Sequence, residues 1–143
     1  MNPYKYSVSL RFRHPEIDPM IISKNIGIKP SRSWKAGESR TTPQGEELGG
    51  TNKETYWTGP LHSGKSVYSR KIVLEDFLLK TIDELEHKNK FIKKLLRSGG
   101  EVEFFIGIFG DRDYGFEINR DIINKLGIIG ISLGICIYIE DQN

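Results

Sequence analysis

One stretch of the chain has the residue types and spacing of a phosphate-binding loop. The segment Gly59-Pro60-Leu61-His62-Ser63-Gly64-Lys65-Ser66 satisfies the pattern G-x-x-x-x-G-K-[ST]. In such a loop, backbone N–H groups surround the phosphate oxygens, the lysine reaches the terminal phosphates and the hydroxyl holds magnesium. The pattern makes nucleotide or phosphate binding one hypothesis for this chain, with Gly59, Gly64, Lys65 and Ser66 as the binding residues.

The sequence around this loop argues against that hypothesis. A helix must open at the lysine of a phosphate-binding loop, yet Val67-Tyr68-Ser69-Arg70 is β-prone and helical spacing begins only near Val73. Asp111, the candidate magnesium ligand, is followed by Arg112-Asp113 in what we expect to be a hairpin turn. Phosphate binding is therefore an alternative rather than the leading hypothesis.

The remaining reactive residue types form no catalytic pattern. His14, His62 and His87 are never three or four residues apart, so we expect no metal site. Cys136 is the chain's single cysteine and lies in the apolar run Ile135-Cys136-Ile137, which favours a core thiol. We expect no cofactor and lean against an enzyme.

The length of the chain indicates one domain, and its net charge is small. The chain has 143 residues, of which 37% are hydrophobic, and a net charge of +2, too small to indicate a nucleic-acid or membrane partner. Residues 1–40 carry +5 and residues 101–143 carry −5, which indicates either neighbouring segments of opposite charge or a basic patch for an acidic partner. Without an apolar leader or a long apolar stretch, we expect a cytoplasmic location.

The first half of the chain predicts a strand, a short helix and a loop region. Strict alternation over residues 4–13 indicates a half-buried strand, and Asp18-Pro19 indicates the start of a helix that ends near Ile26. Short strands containing Trp34 and Trp57 are expected on either side of a flexible loop at residues 38–50.

The second half predicts further helices and strands. Helical spacing runs over residues 73–96, and a strand at 101–109 is expected to form a hairpin with a return strand at 114–118. A third helix capped by Asn119 and closed by Gly127 should precede a final strand over residues 131–139, whose isoleucine face we expect in the core. Residues 18–28 and 121–128 share a pattern that suggests duplication. The expectation is an α+β fold, mainly an antiparallel sheet with three helices, ferredoxin-like in the broad sense, with an internal strand-helix duplication.

The second face of this sheet should combine small residues with aromatic ones. Its expected members are Ser7, Ser9, Arg11, Phe105, Gly107, Phe109, Ser132, Gly134, Cys136 and Tyr138. Small residues ringed by aromatics either line a groove for a small ligand or allow close packing of another layer or a second copy. We favour close packing, and a homodimer is one form of it.

The chain resembles the bacterial domain-of-unknown-function family numbered 4279. The resemblance rests on SLRFRHPEIDPMIISKNIGIKPSRSW with its following Gly37-Glu38, on the isolated Trp57, and on the closing segment LGIIGISLGICIYIED. It covers about residues 6–140 and implies a single bacterial α+β domain. It carries no catalytic residues over to this sequence.

The leading functional hypothesis is a non-enzymatic protein-binding module, most concretely an immunity or antitoxin-like protein. Tryptophan and arginine dominate the energetics of protein interfaces. The partner-binding residues we predict on this basis are Arg11, Arg13, His14, Arg32, Trp34, Lys35 and Trp57. The competing interpretation places both tryptophans in the core. The alternatives are nucleotide binding at residues 59–66 and a regulatory domain that binds a small ligand on the sheet.

Overall fold

The computed structural model describes residues 2–139, which form an α+β fold with one main sheet and three helical regions. The strands are β1 (Lys5–His14), β2 (Arg32–Trp34), β3 (Ser39–Thr41), β4 (Glu47–Thr51), β5 (Thr55–Pro60), β6 (Val67–Tyr68), β7 (Glu101–Gly110) and β8 (Ser132–Ile139). The helices are α1 (Pro19–Ile26), α2 (Leu74–Leu85), α3 (Asn89–Arg97) and α4 (Arg120–Ile129), with a 3-10 turn at Glu86–Lys88 joining α2 to α3.

The main sheet has the strand order β2-β5-β1-β7-β8, and β6 pairs with the first residues of β1. Every pairing in it is antiparallel except β7 with β8, which run parallel. Two parallel neighbours need a long crossover, and α4 supplies it. The expected α+β class and mainly antiparallel sheet are therefore confirmed. The ferredoxin-like class and the duplication stay predictions.

The core lies between one face of this sheet and the helices. On β1 every second side chain, from Tyr6 through Phe12, is fully buried, as the strict alternation predicts. Trp57 of β5 and the alternate residues Val102 to Ile108 of β7 complete the sheet's share of the core. The helices pack over this face of the sheet, and their buried side chains include Ile22, Leu78, Ile92, Ile122 and Leu126.

The caps of α1 follow the sequence prediction, whereas α4 ends later than predicted. The Asp18 carboxylate accepts a hydrogen bond from the Met20 N–H at 2.9 Å, and Gly27 closes α1 with a left-handed φ of 78°. Asn119 caps α4 as predicted, but the helix continues to Ile129 and ends at Gly130. Gly127 is thus an interior, exposed residue of α4.

Two other predictions about local structure are wrong in detail. The helix predicted over residues 73–96 is broken by the 3-10 turn, which separates α2 from α3. The expected return strand at 114–118 does not form, because Tyr114 and Phe116 pack onto the core, where Tyr114 stacks on Tyr4 at 5.2 Å. β7 therefore pairs with β8 instead of with a hairpin partner.

The segment predicted as a flexible loop, residues 38–50, overlaps the antiparallel pair formed by β3 and β4. Every residue of the two strands is exposed, and a short exposed hairpin has few buried contacts that could hold it in place. The flexibility of this segment stays a prediction. Among residues 2–139, no helix is both long enough and apolar enough to cross a membrane.

The isoleucine face predicted for the last strand belongs to the core only at its start, where Ile131 is buried. Ile135, Ile137 and Ile139 are 41%, 61% and 92% exposed, although Leu133 packs against the core. β8 is the last strand of the sheet, and none of its residues Ser132–Ile139 is fully buried. Glu140 and Asp141, which end the family-like segment, lie outside the described residues.

Candidate functional site

The face of the sheet opposite the core presents partly exposed cationic and aromatic side chains. They alternate with the core positions of each strand, so the same pleat that buries one set presents the other. We call the group nearest the β2 edge the Arg–aromatic patch, and its members are Arg11, Arg13, Arg32, Trp34, Tyr56 and Phe105.

Strand register brings these residues together from four strands. In one row across the sheet, Trp34 of β2 lies opposite Tyr56 of β5, which in turn lies opposite Arg13 of β1. In the next row, Arg32 and Arg11 lie on either side of Thr58. Residues far apart in the sequence therefore form one continuous surface.

The aromatic rings of the patch are stacked and flanked by guanidinium groups. Trp34 and Tyr56 have ring centroids 4.5 Å apart and an interplanar angle of 27°. The Arg32 guanidinium lies 5.4 Å from the Trp34 ring centroid, and that of Arg13 lies 5.5 Å from the centroid of Tyr56. Contacts of this kind favour the rotamers of the side chains that make them.

Arg11 is the most closely held cation of the patch. Its guanidinium lies 3.6 Å from the ring centroid of Phe105, and Nη1 lies 3.8 Å from the Glu103 carboxylate. The Arg11 Nε is buried, and among the described residues no group accepts a hydrogen bond from it. Arg13 is paired with Glu54 at 3.6 Å, so carboxylates offset part of the positive charge.

The far end of the same face is already filled by aromatic and acidic side chains. Phe109 and Tyr138 stack at 4.8 Å with an interplanar angle of 9°. A methyl group added at Gly107 would lie 3.3 Å from the Tyr138 ring, and one added at Gly134 would lie 3.0 Å from the Glu103 carboxylate. The small residues lie on the face where the sequence predicts them, but these neighbours occupy the space above them.

Tyr138 contributes an uncharged polar tip at this end. Its interaction with the Cys136 side chain is the main reason why the pKa of the Tyr138 hydroxyl is raised above its ordinary value. The phenol is therefore protonated at neutral pH.

Two of the predicted partner-binding residues are core residues instead. Trp57 is fully buried, and its indole N–H donates to the Ser23 hydroxyl at 2.9 Å. His14 is 5% exposed; its Nδ1 accepts from the N–H groups of Glu16 and Ile17, and its Nε2 contacts the Ser98 hydroxyl at 2.8 Å. Neither side chain is available to a partner.

The other five predicted residues are partly exposed and lie near one another. Arg11, Arg13, Arg32 and Trp34 belong to the patch, and Lys35 follows Trp34 directly. Tyr56 is not among the predicted residues, although it lies next to Trp57 in an alternating strand. Once Trp57 is assigned to the core, alternation alone places Tyr56 on the opposite face.

The segment at residues 59–66 lacks the geometry of a phosphate-binding loop. Gly59 is a buried residue of β5, and the loop after it is tied to β1, because the Val8 N–H donates to His62 Nε2 at 3.0 Å. β6 follows Ser66, whereas α2 begins only at Leu74. The helix N-terminus that would bind phosphate is therefore missing from the loop.

Within residues 2–139, no group of three or more His, Cys, Asp or Glu side chains is arranged to hold a metal ion.

Comparison with known proteins gives a family without an assigned activity. Neither a curated protein nor a solved structure matches the chain. The family model of the domain of unknown function DUF4279 matches residues 3–140, which includes every strand and helix described above. The chain therefore belongs to the DUF4279 family.

Proposed function

We propose that this protein is a non-enzymatic binding module that covers the surface of a partner protein with its Arg–aromatic patch. The most concrete form of the proposal is an immunity or antitoxin-like protein in the bacterial cytoplasm. The observation that carries it is the stacked pair Trp34 and Tyr56, partly exposed on an open sheet face with Arg32 and Arg13 against their rings.

The residue types of the patch are those that contribute most to protein interfaces. Tryptophan, tyrosine and arginine are enriched among hot-spot residues, since each buries a large area while keeping a polar group for a hydrogen bond. The stacking already restricts the rings of Trp34 and Tyr56, so little side-chain entropy is lost on binding.

The charges of the patch favour a protein over a nucleic acid. Interleaved aromatic and basic side chains on a sheet can also stack bases, but a phosphate backbone requires cations that are free to pair with it. Glu103 and Glu54 are paired with Arg11 and Arg13. A protein partner with a few acidic groups around an apolar centre fits this surface better than a polyanion does.

The proposal is tested by affinity capture of the tagged protein from its native cells, before and after nuclease treatment. We expect a stoichiometric protein that resists the nuclease and binds the Trp34→Ala variant about 30-fold more weakly, the loss typical of a hot-spot residue. Tyr68→Ala is the matched control, because Tyr68 is a 62% exposed aromatic residue on β6, outside the patch. Capture that disappears with nuclease, or equal binding by a folded Trp34→Ala protein, would refute the proposal.

We also propose that β1–α1 and β7–α4 are two copies of one strand-helix unit in a broadly ferredoxin-like arrangement. In each unit a ten-residue strand leads to a helix with a side-chain N-cap, Asp18 in α1 and Asn119 in α4. The shared sequence pattern of residues 18–28 and 121–128 supports the same relation.

A further inference from the structure

The β8 edge of the main sheet lacks the features that usually keep strand edges from pairing. An edge strand presents unpaired N–H and C=O groups, and proteins protect it with charged residues, proline, bulges or short length. β8 is eight residues long and pairs continuously with β7 from Ser132 to Ile139. Its sequence, SLGICIYI, contains no charged residue and no proline.

Exposed apolar side chains line the same edge. Ile137 and Ile139 are 61% and 92% exposed on the helix side of β8. Ile123 of α4 is 58% exposed and lies about 200° around the helix from Lys125, whose ammonium is 3.5 Å from Asp83 of α2. Ile123 therefore lies on the flank of α4 that faces away from α2. Apolar surface next to an unpaired edge normally becomes buried in an interface.

We propose that β8 pairs antiparallel with β8 of a second copy of this chain. Length and charge favour this edge for self-association, because a long strand without charged side chains can pair with a copy of itself without placing like charges opposite each other. The other edge of the sheet offers only the three residues of β2, which include Arg32, and Lys35 follows them directly. At β8 only uncharged side chains meet.

The symmetry of such a pairing determines what each side of the dimer contains. Antiparallel pairing of identical edges requires a two-fold axis perpendicular to the sheet, so both helical layers lie on one side. The isoleucines of the two β8 strands then pack against each other on that side, between the two α4 helices. The open faces join on the other side, and the assembly closes at two copies because each β8 edge is used once.

The experiment is sedimentation equilibrium of the full chain over a concentration series that reaches about 100 µM. We expect twice the mass of one chain at the upper end, and a shift toward the monomer of at least tenfold in dissociation constant for Ile137→Lys. Ile128→Lys is the matched control. Ile128 is 65% exposed on α4 but lies on the flank that carries Lys125, so this variant should dimerise like the original chain.

A second variant guards against loss of folding. Ile139 is 92% exposed at the end of β8, so Ile139→Lys should retain the circular dichroism spectrum and still weaken the dimer. The proposal is wrong if the original chain is monomeric throughout the series, since β8 would then be open to a different partner. It is equally wrong if both folded lysine variants dimerise as tightly as the original chain.

Discussion

The two faces of the sheet each carry one of the chain's two tryptophans, and the two residues have opposite environments. Trp57 lies on the helix-covered face, fully buried and in edge contact with Phe12 at 5.4 Å. Trp34 lies on the open face of the neighbouring strand, stacked on Tyr56 and partly exposed. Trp34 pairs with Tyr56, the residue before Trp57 in β5, so a single position of strand alternation separates the buried tryptophan from the row that lies on the open face.

The largest loss of stability is expected for a substitution of Trp57, and it tests whether this tryptophan is the buried one of the two. Trp57→Ala should lower the free energy of unfolding by about 3–5 kcal/mol, because it leaves a cavity in the core and the Ser23 hydroxyl without its donor. Urea denaturation monitored by circular dichroism measures this loss. A loss below about 1 kcal/mol would mean that Trp57 is not packed as the core residue described here.

His14 offers the next largest effect, since it supports the same buried face through hydrogen bonds. His14→Ala removes the acceptor for the N–H groups of Glu16 and Ile17 and should cost about 1–3 kcal/mol in unfolding free energy. His14→Asn is the matched control, because its side-chain oxygen lies near the position of Nδ1 and should restore part of the stability.

These His14 variants also separate stability from binding. Both variants, while folded, should bind the captured partner as the original chain does, because His14 is buried. A His14→Asn protein that is as stable as the original but has lost its partner would place His14 in the interface instead of in the core.

Trp34 should show the opposite behaviour. Trp34→Ala removes one ring stack on a three-residue edge strand, so we expect a loss of at most about 1.5 kcal/mol in unfolding free energy. Thermal and urea unfolding, run beside Trp57→Ala, give the ratio of the two effects. If Trp34→Ala destabilises the protein as much as Trp57→Ala, both faces are core faces and the patch is a structural element.

Sequence patterns predict the structure correctly where a single local pattern, such as strand alternation or helix capping, determines it. The alternation in β1 predicts its buried positions correctly, and Asp18-Pro19 with Gly27 predicts the bounds of α1. The two tryptophans could not be told apart, because each lies in a short segment whose face depends on pairing with a distant strand. Trp57 lies opposite Phe12 of β1, a contact across 45 positions of the sequence that no local period reveals.

The wrong predictions share a cause in the tertiary arrangement. Tyr114, Phe116 and Ile118 alternate like a strand, but their rings and side chains pack onto the core while β7 pairs with β8. Ile135 and Ile137 alternate like core residues, yet β8 is the outermost strand of the sheet. In both cases the alternating apolar pattern is present, but the neighbouring strand or helical layer that it predicts is not beside it within residues 2–139.

The smallest effect is expected at the segment whose sequence pattern is the sharpest. Saturating Mg-ATP should leave the melting temperature unchanged, because a ligand stabilises only through differential affinity for the folded state and residues 59–66 lack a helix N-terminus. Lys65→Ala should behave identically, since Lys65 is exposed. A rise in melting temperature with Mg-ATP that Lys65→Ala abolishes would show that the loop binds nucleotide after all. The binding site would then lie in the loop after β5, and not at Trp34 on the open face of the sheet.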